Sequence, residues 1–209
     1  KKIFYSFSNK KFNYYKSIKH TSLYAARNLA IKKTKGKFIA FIDADDIWEV
    51  SKLEKQIKYF KDEEVGVVYG NLWLKKENSN NKKKHIKYRL PEGYIYHNLM
   101  KKYYVGIVTS IIKKKCLEKL KKIFNDKYNI IGDYDLFLRL SKKYKFKAVQ
   151  EPVATYRLHN NNFSNLNKKL EVSEFTDWLK NNKNSLKKEE YIKMKKKIRE
   201  LKFVNLKSE

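Results

Sequence analysis

The most constraining stretch of this sequence is Lys37-Phe-Ile-Ala-Phe-Ile-Asp43, five apolar residues in a row between Gly36 and the acids Asp43-Ala44-Asp45-Asp46. A short, uninterrupted apolar run with such ends reads as a buried parallel strand. Its flanks are helical. Thr21 or Ser22 can cap a helix running to about Lys35, with Leu23, Ala26, Leu29 and Ala30 as its apolar stripe and Gly36 as its stop. Ser51 and Glu54 form a capping box for a helix carrying Leu53, Ile57 and Phe60. Val65 to Leu74 is the next strand, so the order helix, strand, helix, strand predicts an α/β layered sheet.

Downstream, residues Lys75 to His85 are polar and read as a flexible loop. Tyr94 to Lys102 is expected as a short helix, Ile107 to Ile112 as a strand and Lys115 to Ile123 as a short helix. Asp133 to Tyr144 is expected as a helix with Leu136, Phe137 and Leu140 inward. Phe146 to Arg157 is mostly extended, with Pro152 marking an edge or bend. From about Asn167 the pattern turns helical and highly charged, and Tyr191, Met194, Ile198 and Leu201 sit at helical spacing.

The charge of +28 invites a nucleic-acid reading, because clustered cations release counterions from phosphates. The details weaken it. Arg27, Arg89, Arg139, Arg157 and Arg199 are the only arginines among 50 basic residues, and arginine is the residue that reads bases and forks phosphates. Lysine is spread along the whole chain, so most of it is read as solvated background, with no specific nucleic-acid partner. The lysine-rich stretch from Lys187 to Lys202 could still lie on an anionic membrane surface. No run of eighteen apolar residues occurs, which excludes a membrane-spanning helix. The single Cys116 excludes an internal disulfide, and a reducing, cytosolic setting is the default expectation.

Three carboxylates crowded after a buried strand repel one another. A divalent cation shared with substrate phosphates would relieve that repulsion; a solvated acidic turn capping the next helix is the alternative. Asp133, read from the residues alone, is a helix cap favoured by the dipole, with Asp135 as a first-turn acid.

At these residues the chain resembles a known family. Ala25-Ala26-Arg27-Asn28, then Gly36-Lys-Phe-Ile-Ala-Phe-Ile-Asp-Ala-Asp-Asp-Ile-Trp48, then Lys52-Leu-Glu-Lys-Gln56 are similar to family 2 glycosyltransferases of the GT-A fold. Gly132-Asp133-Tyr134-Asp135-Leu136-Phe137-Leu138-Arg139-Leu140 and Tyr156-Arg157-Leu158-His159, followed by Ser164, extend the match. The resemblance implies a Rossmann-like mixed sheet flanked by helices. It implies single-sugar transfer from a nucleotide-diphosphate sugar to an acceptor hydroxyl with inversion, in bacterial surface-glycan, lipopolysaccharide or capsule synthesis. Asp133 would be the catalytic base. Arg27, Asn28, Asp43 and His159 would serve the nucleotide sugar, and Asp45, Asp43 and His159 would serve Mn²⁺ or Mg²⁺. Asp46 would support the cluster, and Trp48 and Tyr134 would line the acceptor side. A glycan or lipid-linked acceptor would complete the set of partners, with the protein cytoplasmic and peripheral at the inner membrane face.

The resemblance has gaps. The family's opening nucleotide-binding strands have no counterpart in Lys1 to His20, Gly132 stands in place of a glutamate, and Val50 in place of a proline. The expected organisation is therefore a GT-A domain lacking its first strands over 1–166, followed by a basic helical tail over 167–209. An inactive truncated remnant, or a basic protein binding membrane or nucleic acid, is the competing reading.

Overall fold

The computed structural model describes residues 11–18 and 21–206, so part of the opening stretch Lys1 to His20 lies outside the described residues. Its elements run α1 (Leu23–Lys33), β1 (Phe38–Ala40), β2 (Ile47–Trp48), α2 (Lys52–Ile57), β3 (Val65–Lys76), β4 (Lys82–Lys84), α3 (Tyr96–Lys101), β5 (Ile111–Lys113), α4 (Lys114–Glu118), α5 (Gly132–Ser141), β6 (Lys145–Leu158), α6 (Phe163–Leu166), α7 (Lys168–Asn182) and α8 (Lys188–Leu206). The sheet order is β1-β5-β3-β6-β2, with β4 paired to β3. Among the described residues only β3 and β6 run parallel; the other pairs are antiparallel, so the sheet is mixed.

The long β3–β6 pair is the spine. β3 is buried from Val65 through Asn71, as expected of a central strand covered on both faces. Its register against β6 shifts at Gly70/Asn71 and Asn71/Leu72, opposite Pro152, which cannot donate to the ladder. Residues 75–85, expected as a loop, instead hold a hairpin. β3 continues to Lys76 and β4 returns along it, Trp73 opposite Lys84. The strand expected over 107–112 is shortened to β5 by a 3-10 turn at Ile107–Thr109, and the helix expected over 115–123 stops at Glu118.

α1 buries a different face from the one its apolar pattern suggests. Tyr24, Arg27 and Ile31 point inward, while Leu23 and Leu29 are 44% and 47% exposed. Burial of the two polar residues is tolerated because their polar ends are satisfied: the Tyr24 hydroxyl donates to the Ile130 carbonyl at 2.8 Å, and Arg27 pairs with Asp43. Ser22 is the N-cap, accepting from the Ala25 amide.

In α2 the expected capping box does not form, since the Ser51 side chain makes no cap bond. Leu53 and Ile57 face outward; Lys52 and Gln56 are buried instead. The Lys52 ammonium donates to Gln56 Oε1 at 2.6 Å and to the Thr109 carbonyl at 3.0 Å, while Gln56 Nε2 donates to the carbonyls of Val68 and Thr109. This buried polar clamp ties α2 to β3 and to the turn before β5.

Leu136, Phe137 and Leu140 of α5 are fully buried, as the spacing predicts. The stripe of α8 also packs inward, with Met194 and Ile198 in the same hydrophobic cluster as α5 and as Phe175, Trp178 and Leu179 of α7. Trp178 Nε1 donates to Asp135 Oδ1 at 2.9 Å and pins α7 to α5.

Candidate active site

β1 ends at Ala40, and after Phe41 and Ile42 the acids turn: the Asp46 amide donates to the Asp43 carbonyl. β2 follows and pairs with Thr155 and Ala154 of β6, which brings the acidic turn against the end of β6. There Arg157 Nε donates to the Asp45 carbonyl, and His159 Nε2 lies 3.0 Å from Asp45 Oδ2. Arg27 reaches across from α1 to Asp43 at 2.6 Å. The acids and basic groups expected from the sequence to act together are thus in pairwise contact, Arg27 with Asp43 and His159 with Asp45. Asn28 is occupied elsewhere. Its side-chain amide exchanges two hydrogen bonds with the Phe124 backbone, tying α1 to the segment before α5.

Asp46 is 8% exposed, and its Oδ1 has no hydrogen-bond partner among the described residues. Burial, and then the charges of Asp45 and Asp43, push its carboxyl up to about 7. Among the described residues no three His, Cys, Asp or Glu side chains are grouped as a metal cage. The chemistry of the donor set is nonetheless that of a cation shared with substrate. Asp45 and His159 supply an oxygen and a nitrogen side by side in a small cavity of ≈ 240 Å³ that they line with Glu77, Arg157 and Asn161; phosphate and water would fill the remaining positions.

Asp133 sits in the first turn of α5. Its Oδ1 accepts from the Tyr134 amide at 2.8 Å and from the Tyr24 hydroxyl at 3.3 Å; its Oδ2 accepts from the Tyr103 hydroxyl at 2.8 Å. Burial pushes the carboxyl above its ordinary 3.8, and the hydrogen bonds from Tyr103 and the Tyr134 amide, with the Arg27 charge, pull it back. A cavity of ≈ 530 Å³ is lined by Asp43, Asp46, Tyr103, Asp133, Tyr134 and Glu171, among others. Trp48 lies outside this lining; its indole N–H donates to the Val108 carbonyl. A larger cleft of ≈ 720 Å³ on the outer side of α1 is lined by residues such as Ile18, Ala26 and Leu29 and holds no acid or histidine, so its size does not make it the reactive one.

Several site residues escape sequence reasoning. Tyr24 and Tyr103 touch Asp133 from 109 and 30 positions away. Asn162, buried within an Asn-Asn-Asn run, accepts from the His159 amide at 2.7 Å and donates to the Arg157 carbonyl, shaping the turn that presents the histidine. Lys197 of α8 lies 4.2 Å from the Tyr134 ring centre and 4.4 Å from that of Phe175. Gly132 is compelled by packing, since a Cβ there would come within 2.6 Å of the Tyr24 ring.

Comparison with known proteins bears on the family and the fold. The chain is 30% identical over 180 residues to the glycosyltransferase MJ1057 of Methanocaldococcus jannaschii, covering 82% of this chain and 60% of that protein. It is 34% identical over 124 residues to the Escherichia coli UDP-Glc:alpha-D-GlcNAc-diphosphoundecaprenol beta-1,3-glucosyltransferase WfgD, covering 59% and 46%. The chain therefore spans about half to three fifths of the length of these relatives. Among solved structures, the mannosyltransferase PcManGT from Pyrobaculum calidifontis in complex with GDP-Man and Mn²⁺ superimposes with a TM-score of 0.53 at 14% identity, over 78% of this chain and 45% of that one. That likeness supports the GT-A-type mixed sheet flanked by helices. Residues 1–120 match the family described as glycosyl transferase family 2, more than half of the chain, and the protein belongs to that family.

Proposed function

We propose that this protein transfers a single sugar from a nucleotide-diphosphate sugar to an acceptor hydroxyl with inversion, in bacterial surface-glycan synthesis. The observation that carries the reading is the cavity shared by the Asp43–Asp46 turn and Asp133. Asp43 and Asp46 of the acidic turn line the same cavity as the buried, hydrogen-bonded Asp133, which supports a donor and an acceptor meeting there. In this reading Asp133 takes the acceptor proton as the acceptor oxygen bonds to the anomeric carbon. The bond from that carbon to the phosphate oxygen breaks, and its electron pair leaves with the nucleoside diphosphate. Asp45, with Asp43 and His159, would hold Mn²⁺ or Mg²⁺, which would neutralise the leaving diphosphate. Arg27, braced by Asp43, would serve the nucleotide, and Asn28 holds its helix in place. The relative WfgD, by its name a UDP-glucose-dependent enzyme acting on a diphosphoundecaprenol-linked sugar, supports a nucleotide-sugar donor and a glycan or lipid-linked acceptor.

The test is turnover of a panel of nucleotide-diphosphate sugars with Mn²⁺, alongside donor binding by calorimetry. Asp133→Asn is expected to lower kcat at least about 100-fold with donor affinity kept, the range of a lost general base. Asp45→Ala is expected to weaken metal-dependent donor binding. Full turnover in both variants would sink the reading.

A second reading concerns α8. Its inner face packs on the core, while Ile192 and Phe203 are 53% and 60% exposed beside exposed Lys195, Lys196, Arg199 and Lys202. No helix among the described residues is long and apolar enough to cross a membrane. Peripheral contact with an anionic, cytoplasmic-side membrane fits the mixture of basic and apolar groups. Co-sedimentation with phosphatidylglycerol vesicles should fall with added salt and with Lys196→Glu/Arg199→Glu. Equal binding after that charge reversal would dismiss it.

A further inference from the structure

Asp133 is held by an unusual share of tyrosine hydroxyls, and the sequence motif around it accounts for neither. Tyr103, in the segment between α3 and β5, donates to Oδ2 at 2.8 Å. Tyr24, on α1, donates to the Ile130 carbonyl at 2.8 Å and shares the same hydrogen with Oδ1 at 3.3 Å. The Tyr134 amide completes Oδ1 at 2.8 Å. A carboxylate offers about four lone-pair directions. Two on Oδ1 and one on Oδ2 are taken, and no further donor reaches Asp133 among the described residues. Tyr103 and Asp133 both line the cavity, whereas Tyr24 stands behind it, packed on Gly132.

We propose that Tyr103 and Tyr24 are positioning residues that fix the Asp133 carboxylate and leave one lone pair of Oδ2 to take the acceptor's proton. The inference rests on the reading of Asp133 as the base. Tyr103 is the stronger of the two, because its hydroxyl makes a short, undivided bond to the oxygen that reacts. Both hydroxyls favour the ionised carboxylate, which burial disfavours. The small glycine before Asp133 belongs to the same device: the space of a side chain there is filled by the Tyr24 ring. The charged and titratable groups facing Asp133 are Tyr24 and Arg27 from α1, Tyr103, Glu171 from α7 and Lys197 from α8. Each is left in place when another is changed, so single variants separate them.

The test is a ¹³C-carboxyl NMR titration of the full chain, with the Asp133 signal assigned by Asp133→Asn, together with the pH profile of kcat. Tyr103→Phe is expected to move the Asp133 midpoint and the acid limb of kcat upward together by about 1–2 pH units, the worth of one hydrogen bond to a charged group. Tyr24→Phe should move both in the same direction by less, and it serves as the second variant should Tyr103→Phe fold poorly. A merely structural tyrosine would lower the thermal midpoint without moving either titration. Loss of turnover in Asp133→Asn, with an unmoved midpoint in both tyrosine variants, would overturn the proposal alone. Retained turnover in Asp133→Asn would overturn the base reading and the proposal with it.

Discussion

Replacing Gln56 by leucine removes the acceptor that Lys52 holds at 2.6 Å and the donor that satisfies the Val68 carbonyl at 3.1 Å. The Thr109 carbonyl keeps Lys52 as its partner. One lost hydrogen bond to a buried carbonyl costs about 0.5–1.5 kcal/mol and one lost hydrogen bond to an ammonium about 1.5–3, so Gln56→Leu should destabilise by about 2–4 kcal/mol. Lys52→Met should behave differently. Burial pushes the Lys52 ammonium from its ordinary 10.5 down to about 7, a difference worth about 5 kcal/mol of desolvation. Methionine removes that penalty and leaves only Gln56 Oε1 without its donor. Lys52→Met should therefore lie within about 1 kcal/mol of the parent, or above it, in line with apolar replacement of buried charges elsewhere.

The same group makes a pH prediction. Between about 7 and 10.5 the unfolded chain binds a proton at Lys52 that the folded chain does not, so stability contributed by this site rises with pH across that window. Lys52→Met removes that rise, and Gln56→Leu should be most costly near pH 6, about one unit below the folded midpoint, where the ammonium is charged. Urea unfolding followed by tryptophan fluorescence on either side of that midpoint measures all three chains. Equal losses for both variants on the acid side, or the reverse order, would refute the argument that Gln56 carries a buried charge.

Other expectations follow from single contacts. Gly132→Ala forces a Cβ to 2.6 Å from the Tyr24 ring and should cost about 1–3 kcal/mol in chemical denaturation, with a lower kcat as Tyr24 shifts off Asp133. Trp178→Phe strips Asp135 of its 2.9 Å indole donor and should cost about 1–3 kcal/mol, measurable as an earlier urea midpoint.

The helix stripes of α5 and α8 were legible because periodicity of apolar residues is local. Leu136, Phe137, Leu140, Met194 and Ile198 need no knowledge of their partners to be placed inside. α1 was legible as a helix but not in its orientation. Leu23 and Leu29 read as the inner face, yet a tyrosine and an arginine occupy it because Ile130 and Asp43 lie there to receive them. The same holds for α2, whose inward Lys52 and Gln56 depend on carbonyls 12 to 57 positions away.

Local order along the chain was enough to establish a short strand before Asp43-Ala44-Asp45-Asp46, a helix opening on Asp133, and the family that combines them, but not the pairing of that strand, which spans only Phe38–Ala40 and runs antiparallel to β5 where the apolar run reads as a buried parallel strand. Those features are short-range: apolar runs, caps and spacing within one element carry them. The state of the buried Asp133 carboxylate arises elsewhere. Tyr24 from α1, Tyr103 from the segment before β5 and Lys197 from the last helix converge around Asp133 and Tyr134 only when the sheet folds and α7 and α8 close over α5. Burial and hydrogen bonding, which set what a carboxylate can do, are properties of that convergence and have no signature in the spacing of any one segment.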